Sequence, residues 1–197
     1  MKTLLVLLSL AVLAVGGCVR ADDRPASTPA PTSAAAVSGA AGTATGPALA
    51  YRSVEGLCAV LDFRPLSEVF GAVGRQQHQA RAVGGTSNLT CASTLGQLPH
   101  GVVVTVQATV GPPDSGRVMY EGLRRVYDET ESLTDIAELG AGAYQYDDAA
   151  GRHVVVYDAN LYLTLTAAPL RLNAAPRNDL AEPMSHVAAA ALTALRA

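Results

Sequence analysis

Tryptophan is absent from this sequence of 197 residues, and lysine occurs once, at Lys2. Lys2 lies in an N-terminal segment that we expect to be removed. The mature chain would then have no lysine for a P-loop, a Schiff base or a Ser-x-x-Lys acyl-transfer site. The Gly-x-Ser-x-Gly and His-Glu-x-x-His motifs are also missing. We therefore predict that the protein is not an enzyme and has no catalytic residue, no metal site and no cofactor.

Charge and long apolar runs are scarce as well. The chain has 14 basic and 17 acidic residues, for a net charge of −3, and it has no Lys/Arg-rich run. Binding to nucleic acid is therefore not expected. The apolar stretch from Leu4 to Val15 would span about 18 Å as a helix at ~1.5 Å per residue, which is too short for a hydrocarbon core of ~30 Å.

That apolar stretch has the features of an export signal. It follows the basic Lys2 and ends in the small residues of Val15–Cys18 (VGGC). This ending resembles the lipobox of bacterial lipoproteins, in which the cysteine is acylated, for example with palmitate, and becomes the new N-terminus. We predict a signal peptide over 1–17 and lipidation of Cys18. The alternative is ordinary cleavage after Ala21, which would leave a secreted protein without an anchor.

Residues 18–50 contain mostly Ala, Ser, Thr, Pro and Gly. Because such a composition cannot bury an apolar face, we interpret this segment as a disordered tether that begins at the lipidated cysteine. A single folded domain is expected over 51–197. Two or more acyl chains give a stable anchor, so we expect the protein at the extracytoplasmic face of the cell membrane.

The chain has three cysteines, and an odd number in an exported protein requires an explanation. Lipidation of Cys18 leaves Cys58 and Cys91 as a pair, which is expected to be oxidised outside the cytoplasmic membrane. A disulfide that closes a loop of about 33 residues would stabilise the fold by roughly 3–4 kcal/mol. The alternative is a metal site on both thiols, although no His or Cys lies at ligand spacing from either one.

Hydrophobic periodicity predicts an α+β fold. Short connections between neighbouring strands favour an antiparallel sheet of about five strands with helices packed on it. The expected order is helix, strand, strand, helix, three strands, helix. These elements are predicted at 66–73, 89–95, 102–110, 119–127, 143–146, 154–157, 161–165 and 180–195.

Several of these features occur together. A lipobox cysteine and its tether precede Leu57–Leu61 (LCAVL), and Asn88–Cys91 (NLTC) lies in a strand; a glycine-containing loop precedes the strand of Tyr144. In this combination the chain resembles the two-cysteine cell-envelope lipoproteins of actinobacteria, a family defined by a domain of unknown function. The resemblance covers roughly 51–197 and implies a PsbP-like α/β sandwich without catalytic residues. Family members often have a tryptophan after the second cysteine, where this chain has Ala92.

Four tyrosines on neighbouring predicted strands form a candidate ligand or partner patch, with ordinary sheet packing as the alternative. They are Tyr144, Tyr146, Tyr157 and Tyr162. Two functions compete. A protein-interaction module at the cell envelope predicts a filled core and an exposed apolar patch, whereas a carrier for an apolar or lipid-like ligand predicts a cavity of several hundred Å³. We expect the interaction module, because nothing in the sequence demands a cavity. The expected partners are the membrane, through the anchor, and an envelope protein.

Overall fold

Seven antiparallel strands form one sheet in the order β1-β2-β3-β7-β6-β5-β4. The computed structural model describes residues 49–171 and 178–197. The strands are β1 Val73–Val83, β2 Thr86–Leu95, β3 Val102–Val110, β4 Thr134–Asp135, β5 Gly142–Asp148, β6 Gly151–Asp158 and β7 Leu161–Pro169. The helices are α1 Leu57–Val60, α2 Arg64–Phe70, α3 Ser115–Asp128 and α4 Ala181–Leu195. The predicted α+β class and the antiparallel sheet are thus confirmed.

One face of the sheet packs against α1, α2 and α4, and we call it the α4 face. β3 contributes Val104 and Val106, and β7 contributes Leu163 and Leu165, all at most 1% exposed. Burial of each such side chain is worth roughly 1.5–3 kcal/mol, so this layer is the main source of stability. The apolar stripe predicted for the closing helix is buried against this face, and it consists of Leu180, Met184, Val187, Ala191 and Leu195.

The opposite face packs against α3, and we call it the α3 face. Gly116, Tyr120, Leu123 and Tyr127 lie on the side of the helix that meets the sheet. The spacing of apolar residues in the sequence predicts a stripe of Met119, Leu123, Val126 and Tyr127, but Val126 is 58% exposed. The physical reason is rotation about the helix axis. At ~100° per residue, Val126 lies about 90° from the centre of the buried stripe.

The sheet has seven strands, two more than the five or so that the sequence predicts, and the two additional strands are β1 and β4. β1 is exposed along its whole length, so neither of its faces has the apolar alternation that marks a buried strand. β4 has only two residues. The predicted first helix also ends earlier than expected, at Phe70, because Gly71 leaves the helical conformation with φ 98° and Val73 already belongs to β1. A short further helix, α1, precedes it.

The predicted disulfide joins Cys58 of α1 to Cys91 of β2, with the two Cα atoms 5.1 Å apart. Cys91 is fully buried on the α4 face. The bond therefore attaches α1 to the sheet, and it excludes the alternative of a metal site on two free thiols. The predicted signal peptide, Cys18 and all of the tether up to residue 48 lie outside the described residues.

Candidate functional site

A groove of about 410 Å³ lies between α3 and the sheet, and we call it the α3 groove. Met119, Leu123 and Tyr127 of α3 form one wall. The sheet provides the floor and the far end, with Gln107 and Thr109 of β3, Tyr146 and Asp148 of β5, His153 and Val155 of β6, and Tyr162, Thr164 and Thr166 of β7. The groove therefore combines one apolar and aromatic wall with a floor that carries hydroxyl and amide groups.

The tyrosines of the candidate patch share one face of the sheet, as the strand alternation requires. They belong to a cluster that also contains Tyr120 and Tyr127 of α3, so six of the seven tyrosines in the chain lie on the α3 face. Tyr144 is fully buried, and Tyr146 and Tyr162 are only 6% and 7% exposed. The patch is thus mostly covered by α3 rather than open. Its role in binding a ligand or partner stays a prediction.

Three stacked aromatic rings close one end of the groove. The ring of Tyr146 lies 4.8 Å from that of Tyr127 and 4.5 Å from that of His153, with interplanar angles of 28° and 6°. Both nitrogens of His153 are bonded, Nε2 to Asp148 Oδ1 at 2.9 Å and Nδ1 to Thr166 Oγ1 at 3.0 Å. These bonds hold the imidazole plane parallel to Tyr146.

The order carboxylate, imidazole, hydroxyl resembles the relay of a hydrolytic triad. Such a triad also needs donors for an oxyanion, which backbone N–H groups or polar side chains supply. Thr166 lies inside β7, opposite Thr105 of β3 on one side and His153 of β6 on the other, so the neighbouring amides take part in the sheet ladders. The hydrogen bonds of His153 with Asp148 and Thr166 orient the imidazole within the aromatic stack.

Burial and hydrogen bonding set the protonation states of Asp148, Tyr146 and Tyr162, which line the groove. Burial acts to raise the pKa of Asp148, but hydrogen bonds from His153 and from the backbone N–H groups of Ala150 and Gly151 outweigh it and hold the pKa below its usual range. Asp148 is therefore a carboxylate at neutral pH. Burial raises the pKa of Tyr146 and Tyr162, so both phenols are neutral there.

The free edge of β1 is the second candidate site. All eleven residues of this strand are exposed, and among the described strands it pairs only with β2, on one side. Its charged or titratable side chains are Arg75, His78 and Arg81, and it has no acidic residue. The opposite edge of the sheet is the two-residue β4, so β1 is the longer accessible edge.

The sequence identified the α3 groove only in part, through Tyr146 and Tyr162 of the candidate patch, and it did not identify the β1 edge. Gln107 alternates with the buried valines of β3, but no local pattern in the sequence marks it as part of a groove. The sequence has four histidines at scattered positions, and nothing in it distinguishes His153 from the others. The signal for β1 was weak, because a strand exposed on both faces has no hydrophobic period to detect.

In comparisons with known proteins, no family model, no curated protein and no solved structure matches this chain. The resemblance to the two-cysteine envelope lipoproteins therefore stays a prediction. Among the described residues, no group of three or more His, Cys, Asp or Glu could hold a metal ion. The helices within those same ranges are all too short or too polar to span a membrane.

Proposed function

We propose that this chain is a lipid-anchored, non-catalytic protein-interaction module at the extracytoplasmic face of the cell membrane. The observation that carries the interaction is the β1 edge, which is exposed over eleven residues. On its outer side, the N–H and C=O groups have no strand partner within the described part of the chain. An extended segment of another protein can pair with such an edge through main-chain hydrogen bonds.

Charge indicates what kind of segment fits this edge. Arg75, His78 and Arg81 make β1 basic, although the whole chain has a net charge of −3. Antiparallel pairing of two copies about His78 would place Arg75 opposite Arg81 at both ends, and like charges directly opposite each other are destabilising. The favoured partner is therefore an extended, acidic segment of a different protein.

Photocrosslinking in cells tests this proposal. A photoreactive residue at the exposed Ala80 of β1 should crosslink to an acidic segment of one envelope protein. The double variant Arg75→Glu/Arg81→Glu should abolish that product by charge repulsion, whereas Arg52→Glu, an exposed arginine outside β1, should leave it unchanged. A crosslink that survives the double reversal, or one that maps to a basic or folded surface, would contradict the proposal.

The anchor is tested separately from the interaction. Cys18→Ser should move the protein from the membrane fraction to the soluble fraction, because acylation needs the thiol. Ser27→Ala, a change within the tether, should leave the protein on the membrane. Retention of the Cys18→Ser variant would show that the lipidation site is misassigned.

A second candidate function is the carrier of an apolar or lipid-like ligand, and the α3 groove favours it by its volume. The floor of the groove argues for the interaction module instead, because hydroxyl and amide groups buried beneath a lipid chain would lose their water without gaining partners. Native mass spectrometry with solvent extraction separates the two, since a carrier should bring a reproducible lipid mass with it. The PsbP-like architecture implied by the resemblance is likewise part of this proposal.

A further inference from the structure

Four neutral polar side chains form one row across the α3 face. Gln79 of β1 lies opposite Thr90 of β2, Thr90 opposite Gln107 of β3, and Gln107 opposite Thr164 of β7. Gln79 and Gln107 are exposed, and the two threonines are half-buried. Within residues 49–171 and 178–197, none of the four makes a side-chain hydrogen bond. The row is therefore a set of donors and acceptors that only solvent or a ligand can use.

The row has a regular spacing and leads into the α3 groove. Adjacent strands are about 4.8 Å apart, so the four positions span about 14 Å perpendicular to the strands. Thr164 and Gln107 line the groove, where Met119 and Leu123 supply an apolar wall above the floor. A ligand that follows the row would thus lie across the strands, with one end against the apolar wall of α3.

Charge limits the class of ligand. Among the described residues that line the groove, the only charged or titratable ones other than tyrosine are Asp148 and His153, and these are bonded to each other. The same lining contains no arginine to hold a phosphate or carboxylate. Gln and Thr side chains both donate and accept hydrogen bonds, which suits a ligand whose own groups do both. Hydroxyl groups at regular intervals on a neutral chain have this property.

We propose that the row and the α3 groove bind a neutral glycan chain laid across the strands. Sugar hydroxyls would exchange hydrogen bonds with Gln79, Thr90, Gln107 and Thr164. The C–H face of a terminal sugar ring would pack against the apolar wall formed by Met119 and Leu123. This inference goes beyond the proposed function, because it uses the face of the sheet, whereas the partner segment uses the backbone edge of β1.

Titration of the mature full chain with neutral hexasaccharides of glucose, galactose and arabinose tests the proposal. Tyrosine emission is a direct probe, since the chain has no tryptophan and six of its seven tyrosines lie on the α3 face. We expect saturable binding of at least one hexasaccharide, confirmed by calorimetry. Gln107→Ala and Thr164→Val should each weaken it about 5-fold or more through the loss of a hydrogen bond.

Matched controls keep the test specific. Gln97→Ala and Thr134→Val remove the same groups from exposed positions outside the row, and they should leave the affinity unchanged. Circular dichroism should show all four variants folded, because none of these positions is buried. Absence of binding to every neutral hexasaccharide would overturn the proposal. Equal or tighter binding of an acidic hexasaccharide, or affinity unaffected by the two row variants, would overturn it as well.

Discussion

At the scale of single residues, Asn160 is one of two polar side chains buried in the described structure, the other being Ser93. Asn160 is 1% exposed and makes three hydrogen bonds to backbone groups. Its Oδ1 accepts from Tyr51 N at 3.0 Å, and its Nδ2 donates to Tyr51 O at 3.0 Å and to Gly111 O at 3.2 Å. The side chain thus joins the start of the domain, the end of β3 and the β6–β7 turn.

Asn160→Ala should lower the free energy of unfolding by about 3 kcal/mol, because three buried backbone groups lose their partner at about 1 kcal/mol or more each. Urea denaturation followed by circular dichroism measures this change. Asn88→Ala, at an exposed position with one side-chain bond to Thr109, should change stability by only about 0.5 kcal/mol. Equal changes in the free energy of unfolding would show that the buried hydrogen bonds of Asn160 contribute no more to stability than the exposed bond of Asn88.

Replacement by alanine should have opposite effects on stability at two glycines of α3. A Cβ at Gly116 would overlap the carbonyl oxygen of Leu161 and lie 2.8 Å from that of Ala159, whereas a Cβ at Gly122 would meet nothing within 4 Å. Gly116→Ala should therefore destabilise the protein by about 1–3 kcal/mol through overpacking. Gly122→Ala should stabilise it by about 0.5–1 kcal/mol through helix propensity. The same urea experiment compares them, and a stabilising Gly116→Ala would contradict the close contact between α3 and the β6–β7 turn.

At the scale of elements, the disulfide and the buried side chain of Leu57 hold a helix of only four residues on the sheet. α1 has no side-chain cap, and it contacts β1 and β2, next to the exposed edge. The exposed edge and the cross-link are therefore adjacent, with Cys58 Sγ 3.4 Å from the carbonyl oxygen of Gln77 in β1.

Reduction of Cys58–Cys91 should lower the free energy of unfolding by about 3–4 kcal/mol, the value expected for a loop of 33 residues. The measurement is the urea midpoint with and without reductant. The variant Cys58→Ala/Cys91→Ala is the control, since reductant should not change its midpoint. A wild-type midpoint that does not move on complete reduction would show that the cross-link adds nothing to the stability.

The elements also differ in how well their sequences predict them. β3 alternates Val102, Val104 and Val106 on the buried side with polar or half-buried residues on the other, so its face and its bounds were predicted. β1 pairs with β2 in continuous register from Gln76 to Val83, after a register shift between Val73 and Gln76, but neither side of the strand is buried. β1 forms through backbone hydrogen bonds to β2. Such bonds do not require an alternating pattern of apolar and polar side chains, so the sequence does not show the strand.

At the scale of the whole molecule, buried tyrosines connect stability to pH. Burial is the largest cause that raises the pKa of Tyr51, Tyr144, Tyr146 and Tyr162 above the usual value. For Tyr51 a hydrogen bond to Asp158 adds to this effect. A raised pKa means that the folded state favours the neutral phenol. These groups therefore stabilise the fold fully below pH ~10, the pKa of tyrosine in the unfolded chain, and less as the pH rises through the folded-state pKa.

The expected outcome is alkaline unfolding in which these four tyrosines ionise together with the loss of structure. Tyrosinate absorbance and circular dichroism, recorded on the same samples from neutral to strongly alkaline pH, should show one coincident step. Tyr144→Phe should move that step to higher pH, because it removes one buried ionisable group while keeping the ring. Gradual ionisation of all seven tyrosines before any loss of structure would contradict the prediction.

The sequence by itself determined the fold class, the buried faces of β3, β7 and α4, and the pairing of Cys58 with Cys91. Each of these follows from the spacing of apolar residues along the chain or from the number of cysteines, and both can be seen directly in the sequence. Only the tertiary structure decided the seven-stranded sheet, the cover of α3 over the tyrosines, and the row from Gln79 to Thr164. These features depend on contacts between segments distant in sequence, such as the approach of Gly116 to Leu161, and on polar side chains whose alignment exists only once four strands are in register.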